Sequence, residues 1–316
     1  MPSCNGIFAA TDACGVAGAV AHFPAMTETD AHPLFRPAGW RRTAGSAAVG
    51  LIYFFPVVWM LLAAVKTRPD ALAVPPKLIF RPTLEHYRSL FTGFTADGKQ
   101  VFPTGFAHYI ANSLGICGGS VLLALALGAL AAYGFARLPM RGAGYLLFYT
   151  LVLRMIPPLT SIIPLYVLFS RIGLGGSYAG IVLVYVAFNL PFAIWMLRSF
   201  VLELPRAAEE AAWLDGSSRL RLLWRICLPQ MRAGLAATAI IAFVFTWNDF
   251  LFSQMLTGVD TRTIPVAMLR VLGADFGTDW GLFAAAGTIY LAPVLLVAFF
   301  LQNQLLRGAT FGTLTR

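Results

Sequence analysis

Six stretches of the chain are apolar for long enough to cross a bilayer, and charged or proline-rich segments separate them. Residues 44–65 form the first, with Arg41 and Arg42 before it and Lys66 and Arg68 after it. The segment 66–106 carries Pro69, Pro75, Pro76, Pro82 and Pro103, so it cannot span and is expected to fold on the surface. The second run covers about 108–134 and ends at the basic turn 137–141. A third, about 144–169, is interrupted by Pro157, Pro158 and Pro164, which predicts a kinked or partly unwound helix near its middle. A glycine-bearing loop at 171–177 leads into the fourth, about 178–197. Segment 198–232 is too charged to cross, and the fifth and sixth runs follow at about 233–256 and 282–306. A helix needs about 20 apolar residues to cover a hydrocarbon core of about 30 Å. The pattern therefore predicts an all-α integral membrane protein with six transmembrane helices, the membrane domain running over 44–306.

Composition agrees with lipid as the solvent. Of 316 residues, 58% are hydrophobic and 12% charged, and mean hydropathy is +0.73. A soluble domain of this length has no way to cover so much apolar surface. The net charge of +9 would suggest nucleic acid in a soluble protein. Here the basic residues flank apolar runs, where they meet lipid headgroups, so membrane lipid and not nucleic acid is the expected contact. With the N-terminus inside, 13 Lys and Arg residues fall on the cytoplasmic side and 9 on the other. The densest basic cluster, 198–232, then lies inside, as do both termini, including the tail 307–316.

Residues 1–43 precede the first span. The first 25 carry Asp12 but neither Lys nor Arg, so they lack the basic start of a secretory signal. Met26 opens a more conventional lead, MTETDAHPLFRPAGWRR, and translation is expected to start there; otherwise residues 1–25 are a disordered tail. Cys4, Cys14, Cys117 and Cys227 have no metal-ligand spacing, and His22, His32, His86 and His108 share none. Neither a nucleophile-and-base pattern nor a GxxxxGK[ST] phosphate loop occurs, so an enzyme is disfavoured and the chain is expected to bind no cofactor itself.

The polar insertion reads LPRAAEEAAWLDGSSRLRLLWRICLPQ over 204–230. Strong helix formers surround Glu209 and Glu210, and Asp215-Gly216 supplies a turn in which glycine takes positive φ. Ser217 and Ser218 can cap a second short helix whose Leu220, Leu222, Leu223 and Ile226 make an apolar face, and Pro229 is expected to stop it. The physics permits a helix-turn-helix handle for a soluble partner. It equally permits an interfacial loop whose arginines sit among headgroups.

Glu210-Ala211-Ala212, then Gly216 after three residues and Ile226-Cys227-Leu228-Pro229 after nine more, resembles the EAA loop of ABC importer permeases. Asn112-Ser113-Leu114, Ala132 through Leu138, Arg154 through Pro158, Ile163 through Tyr166, Leu190 through Phe192, Trp247 through Phe250 and Leu306-Arg307-Gly308 resemble further stretches of the maltose-type, carbohydrate-importing branch. The resemblance implies a cytoplasmic EAA coupling helix between helices 4 and 5, docking into a separate ATPase. Glu210, Ala211, Ala212, Asp215, Gly216, Ile226, Leu228 and Pro229 would form that coupling segment. It further implies a second permease, identical or related, two ATPase subunits holding ATP and Mg, and a sugar-binding protein outside. All of this sits in a prokaryotic inner or plasma membrane.

Within the spans, Arg154 lies about 15 Å into the third helix, near the midplane, where a charge costs several kcal/mol unless it faces water or a partner. Asn189 reaches similar depth in the fourth. With Pro157, Trp247, Asn248 and Asp249 they are candidates for a polar pathway that hydrogen-bonds sugar hydroxyls. The alternative is internal glue, with Arg154 pairing with freed carbonyls, with Asp249 or with the partner permease. Trp247 either stacks on a sugar ring or anchors at the interface. An ion-driven secondary transporter is the competing class, but such proteins carry internal repeats and membrane-buried acids. Here the acids inside spans are nearly confined to Asp249.

Overall fold

The computed structural model describes residues 40–94, 98, 100, 105–272 and 279–311, with side chains at all of these but 42, 270 and 301–311. Cys4, Cys14, His22, His32 and the Met26 start lie outside the described residues, as does the end of the C-terminal tail. The chain divides into two units, Met1–Phe55 and Pro56–Arg316. In the first, the described residues form the start of helix α1 (Trp40–Ala64), whose Leu51, Ile52 and Tyr53 are exposed, as lipid-facing side chains are.

All regular structure among the described residues is helical. Four helices, Thr43–Ala64, Phe106–Arg137, Tyr178–Glu203 and Trp280–Phe300, are long and apolar enough to cross a membrane. Two bent pairs raise the number to six if each makes one crossing: Ala143–Met155 with Pro158–Arg171, bent by 92°, and Arg219–Gln230 with Arg232–Trp247, bent by 81°. The first bend falls where Pro157 and Pro158 predict a break. Pro158 opens the second helix, a position where its missing N–H would be unpaired anyway.

Within 66–106 the described residues form two short helices, α2 (Arg68–Ala71) and α3 (Glu85–Thr92). On α3, His86 Nε2 bonds the Lys66 carbonyl at 2.8 Å, and Tyr87 Oη shares a 2.9 Å hydrogen bond with Thr288. Gly281, in the last helix, leaves no room for a Cβ against the His86 ring. The segment is thus tied down by polar contacts that a proline-rich composition does not reveal.

The core is built on α4 (Phe106–Arg137) and α7 (Tyr178–Glu203), with α5 (Ala143–Met155) and α6 (Pro158–Arg171) between them in sequence. In lipid, helices gain little from hiding apolar surface and pack where small residues let backbones approach. A Cβ built on Gly128 of α4 would meet Ala193 Cβ of α7 at 2.8 Å. Gly128→Leu is expected to lower the melting temperature in detergent by several degrees, since overpacking costs about 1–3 kcal/mol. Intrinsic tryptophan fluorescence on heating measures it, and an unchanged melting curve contradicts this packing.

After α7 the chain makes α8 (Arg206–Leu214) and a second helical stretch of α9 (Arg219–Leu222), one π turn (Leu223–Cys227) and α10 (Leu228–Gln230). Then come α11 (Arg232–Trp247), α12 (Leu251–Leu256), α13 (Ile264–Leu272) and α14 (Trp280–Phe311). Two expectations need correction. The fifth run is not one helix, because α11 ends at Trp247 and Asp249 turns its carboxylate onto the N–H groups of Phe252 and Ser253, starting α12. Pro229 does not stop its helix either. The Leu228 N–H bonds Leu223 five residues back, which places Pro229 in the first turn of the next piece; the turn comes at Met231.

Candidate functional site: a clasped hairpin and a polar cleft

Pro205, with φ −65° and ψ 127°, separates α7 from α8, and Asp215 closes α8 through its N–H to Ala211. Gly216 follows at φ 81°, a left-handed conformation that favours glycine. The N–H groups of Gly216 and Ser217 turn back onto Trp213 and Ala212, each at 3.0 Å. Ser218 Oγ accepts the N–H of Arg221 at 3.4 Å and starts the second arm. The helix-turn-helix expected for 204–230 is therefore formed.

One side of this hairpin rests on the bundle. Leu222, Leu223, Cys227 and Met231 are buried with Ala129, Ala132, Leu197 and Val201 of α4 and α7. Ile226 and Leu228 are half-buried and Pro229 is exposed. Leu220, expected on the buried face, lies one turn nearer the tip and is exposed. Glu210 and Ala211 are exposed and Ala212 half-buried. At the turn, Trp213 and Leu214 are 62% and 89% exposed, and the Arg219 guanidinium lies 5.9 Å over the Trp213 ring.

The carboxylate that fastens α8 is Glu209, which the sequence reading passed over. It is 8% exposed, and its Oε1 accepts two guanidinium N–H groups of Arg137, Nη2 at 2.7 Å and Nε at 2.8 Å. Tyr133 donates to Oε2 at 3.3 Å, and Arg137 also donates to the Leu204 carbonyl at 2.9 Å. Removing one partner of such a buried pair typically costs about 3–5 kcal/mol. A doubled glutamate on a short helix is the one available signal: side chains 100° apart cannot both face the same partner.

The second constellation lies between the bent pair and α7, α11 and α12. A cleft of about 340 Å³ is lined by Arg154, Tyr185, Asn189, Phe245, Thr246 and Asp249, among others. That volume falls within the usual range for small-molecule sites, about 300–1,000 Å³. Arg154 donates to the Phe188 carbonyl at 2.7 Å, and its guanidinium sits 4.9 Å over the Phe245 ring. No ion pair joins it to Asp249 among the described residues. Asp249 instead accepts the Tyr185 hydroxyl at 2.9 Å. Asn189 donates to Tyr185 O at 2.9 Å and Thr246 Oγ1 at 2.8 Å, while its buried Oδ1 has no partner among the described residues. Pro157 stands at the bend as the residue preceding α6.

Trp247 does not join this cleft. It is 2% exposed, its ring is stacked between Phe243 and Tyr290, and its Nε1 donates to Tyr290 O at 3.1 Å. Both faces are covered, so neither a sugar ring nor the interface meets it in this structure. Asn248 is exposed, donates to Val244 O at 2.8 Å and accepts the Tyr290 hydroxyl at 2.8 Å. Tyr185 and Thr246 are cleft residues that hydropathy hides, because each sits within an otherwise apolar run.

The described residues thus combine four to six helical stretches long and apolar enough to cross a membrane, a cleft with polar groups and a surface hairpin. The chain belongs to the family described as binding-protein-dependent transport system inner membrane component, which matches residues 124–310. It is 37% identical over 265 residues to the probable ABC transporter permease protein y4oR of Sinorhizobium fredii, covering 84% of this chain and 91% of that one. It is 30% identical over 271 residues to the trehalose/maltose transport system permease protein MalG of Thermococcus litoralis, covering 85% and 94%. A solved bacterial ABC transporter involved in the import of the acidic polysaccharide alginate has the same fold. Its TM-score is 0.67 at 17% identity, over 85% of this chain and 99% of that one. The chain is thus a membrane permease of an ABC importer, and the ion-driven alternative finds no support among these relatives.

Proposed function

We propose that this chain forms half of the translocation pathway for a sugar or polyol and takes its driving force from a separate ATPase that grips the hairpin of α8 and α9. One observation carries the reading. The hairpin is fastened to the bundle on one side by Glu209 and the Leu222–Leu223 face, yet presents Trp213, Leu214 and Glu210 outward. An apolar tip framed by Arg206, Arg219 and Glu210 fits a soluble protein cleft better than headgroups alone.

In this reading the chain crosses the membrane six times, with α5 and α6 as one broken crossing and α11 as the fifth. Both termini and the hairpin face the cytoplasm. A pore must close its polar lining from lipid on all sides, which favours pairing with a second permease, related or identical. Two ATPase subunits hold ATP and Mg, since this chain lacks a phosphate loop. A soluble sugar-binding protein delivers substrate from outside. The carbohydrate class draws support from relatives named for trehalose and maltose, trehalose and diacetylchitobiose. Arg154, Asn189, Asp249 and the Tyr185 hydroxyl offer the mixed donors and acceptors that hydroxyl groups need.

The test is uptake into proteoliposomes holding the assembled complex, with labelled sugars presented by the binding protein. Accumulation that requires ATP on the hairpin side and binding protein on the other is expected. Accumulation driven by a proton or sodium gradient without ATP would overturn the proposal.

A further inference from the structure

The Glu209–Arg137 pair does more than hold α8 in place. What it does is join the hairpin to the last turn of α4, with 8% and 10% of the two side chains exposed. The opposite end of the same helix is gripped as closely. Asn112 donates to the carbonyls of Asp260 at 2.7 Å and Arg262 at 3.0 Å, and His108 Nε2 donates to Asp260 O at 2.7 Å. Ser113 Oγ accepts the Ile264 N–H at 2.8 Å. Together they hold the loop 257–263 between α12 and α13.

The helix that bears both grips, α4, is one unbroken helix of 32 residues without proline. The other long helices, α1, α7 and α14, each contain one, at Pro56, Pro191 and Pro293. Proline removes a hydrogen bond and bends a helix, so α4, although it carries Gly118-Gly119-Ser120, keeps a backbone ladder that no proline interrupts. From Asn112 to Arg137 it spans about 37 Å at 1.5 Å per residue, more than the hydrocarbon core of about 30 Å.

We infer that α4 is the rod that carries hairpin displacement across the membrane to the loop 257–263, and that Arg137 and Glu209 are the positioning residues through which that displacement enters it. This rests on the coupling role proposed above for the hairpin. A rod clamped at one end by two guanidinium bonds, and at the other by three side chains on two carbonyls and an N–H, moves both ends together. If Glu209 is removed from the clamp, only the apolar packing of the second arm on Ala129 and Ala132 is left to draw α4 along when α8 is pulled.

The experiment uses the complete reconstituted complex with Cys4 and Cys14 replaced by serine; Cys117 and Cys227 are buried. An environment-sensitive fluorophore is attached at Val259→Cys, a position 54% exposed on the outer loop. A photo-crosslinker at Leu214, 89% exposed, reports hairpin docking on the ATPase separately. In Glu209→Gln the crosslink is expected to persist, the nucleotide response at Val259 to be lost, and ATP consumed per sugar imported to rise about tenfold. Arg137→Lys keeps the charge but cannot hold Glu209 and Leu204 together, and is expected to fall between. Should Glu209→Gln assemble poorly, Arg137→Lys decides by the same readouts. A Val259 response and an ATP-to-sugar ratio within about twofold of the parent overturn the rod while leaving the coupling role intact. Absence of the Leu214 crosslink in the parent complex overturns both.

Discussion

Gly216→Val leaves the protein inserted in the membrane but is expected to lower ATP-driven sugar uptake about tenfold or more. Nothing lies within 4 Å of a Cβ at this position, so the substitution meets no steric neighbour. The penalty is conformational: φ is +81°, and an L residue held there costs about 1–2 kcal/mol, with a β-branched one worse placed still. Global stability can absorb that amount. The turn cannot, because the hydrogen bonds from Gly216 and Ser217 back to Trp213 and Ala212 set the angle between the two arms. Relaxing φ to a negative value swings Trp213 and Leu214 away from whatever they engage. Uptake and ATP hydrolysis in the same proteoliposomes check the result, and Glu210→Lys, on the exposed face, is expected to act in the same direction. Normal accumulation by both variants contradicts the coupling assignment.

Arg154→Leu is expected to reduce uptake by about tenfold or more. The guanidinium supplies a charged hydrogen bond to Phe188 O, of a kind that contributes about 1.5–3 kcal/mol. It also supplies the only basic group among the described cleft-lining residues. Phe188 lies next to Ala187, whose carbonyl loses its helical partner because Pro191 of α7 has no N–H. The same side chain therefore braces α7 and furnishes donors to the cleft. Uptake and detergent melting temperature are measured together: loss of uptake with little thermal change marks the cleft role, and loss of both marks the brace. Unaltered behaviour in both measurements contradicts either role and leaves a side chain that merely snorkels.

The parts of the architecture that follow from local chemistry were legible in the chain. Apolar runs gave the long helices, Pro157-Pro158 gave the break between α5 and α6, and Asp215-Gly216-Ser217-Ser218 gave the hairpin turn with its cap. The parts that depend on distant partners were not. Glu209 meets Arg137 across 72 residues of sequence, and no local pattern says which of two adjacent glutamates turns inward. Trp247 looked available because it sits beside Asn248 and Asp249; its burial comes from Tyr290, 43 residues on. Asp249, two residues past the end of α11, opens α12 through its own carboxylate, a side-chain choice that hydropathy averages away. Pro229 sits inside a helical stretch because a π turn shifts the hydrogen-bond ladder ahead of it.

What touches the hairpin tip decides whether the hairpin is a handle for an ATPase. The direct measurement is site-specific photo-crosslinking from Trp213 in the intact complex within native membranes, with the adduct identified by mass spectrometry. An adduct with a nucleotide-hydrolysing subunit on the cytoplasmic side is the predicted result. Adducts with lipid alone, or with a partner on the opposite face of the membrane, would contradict it.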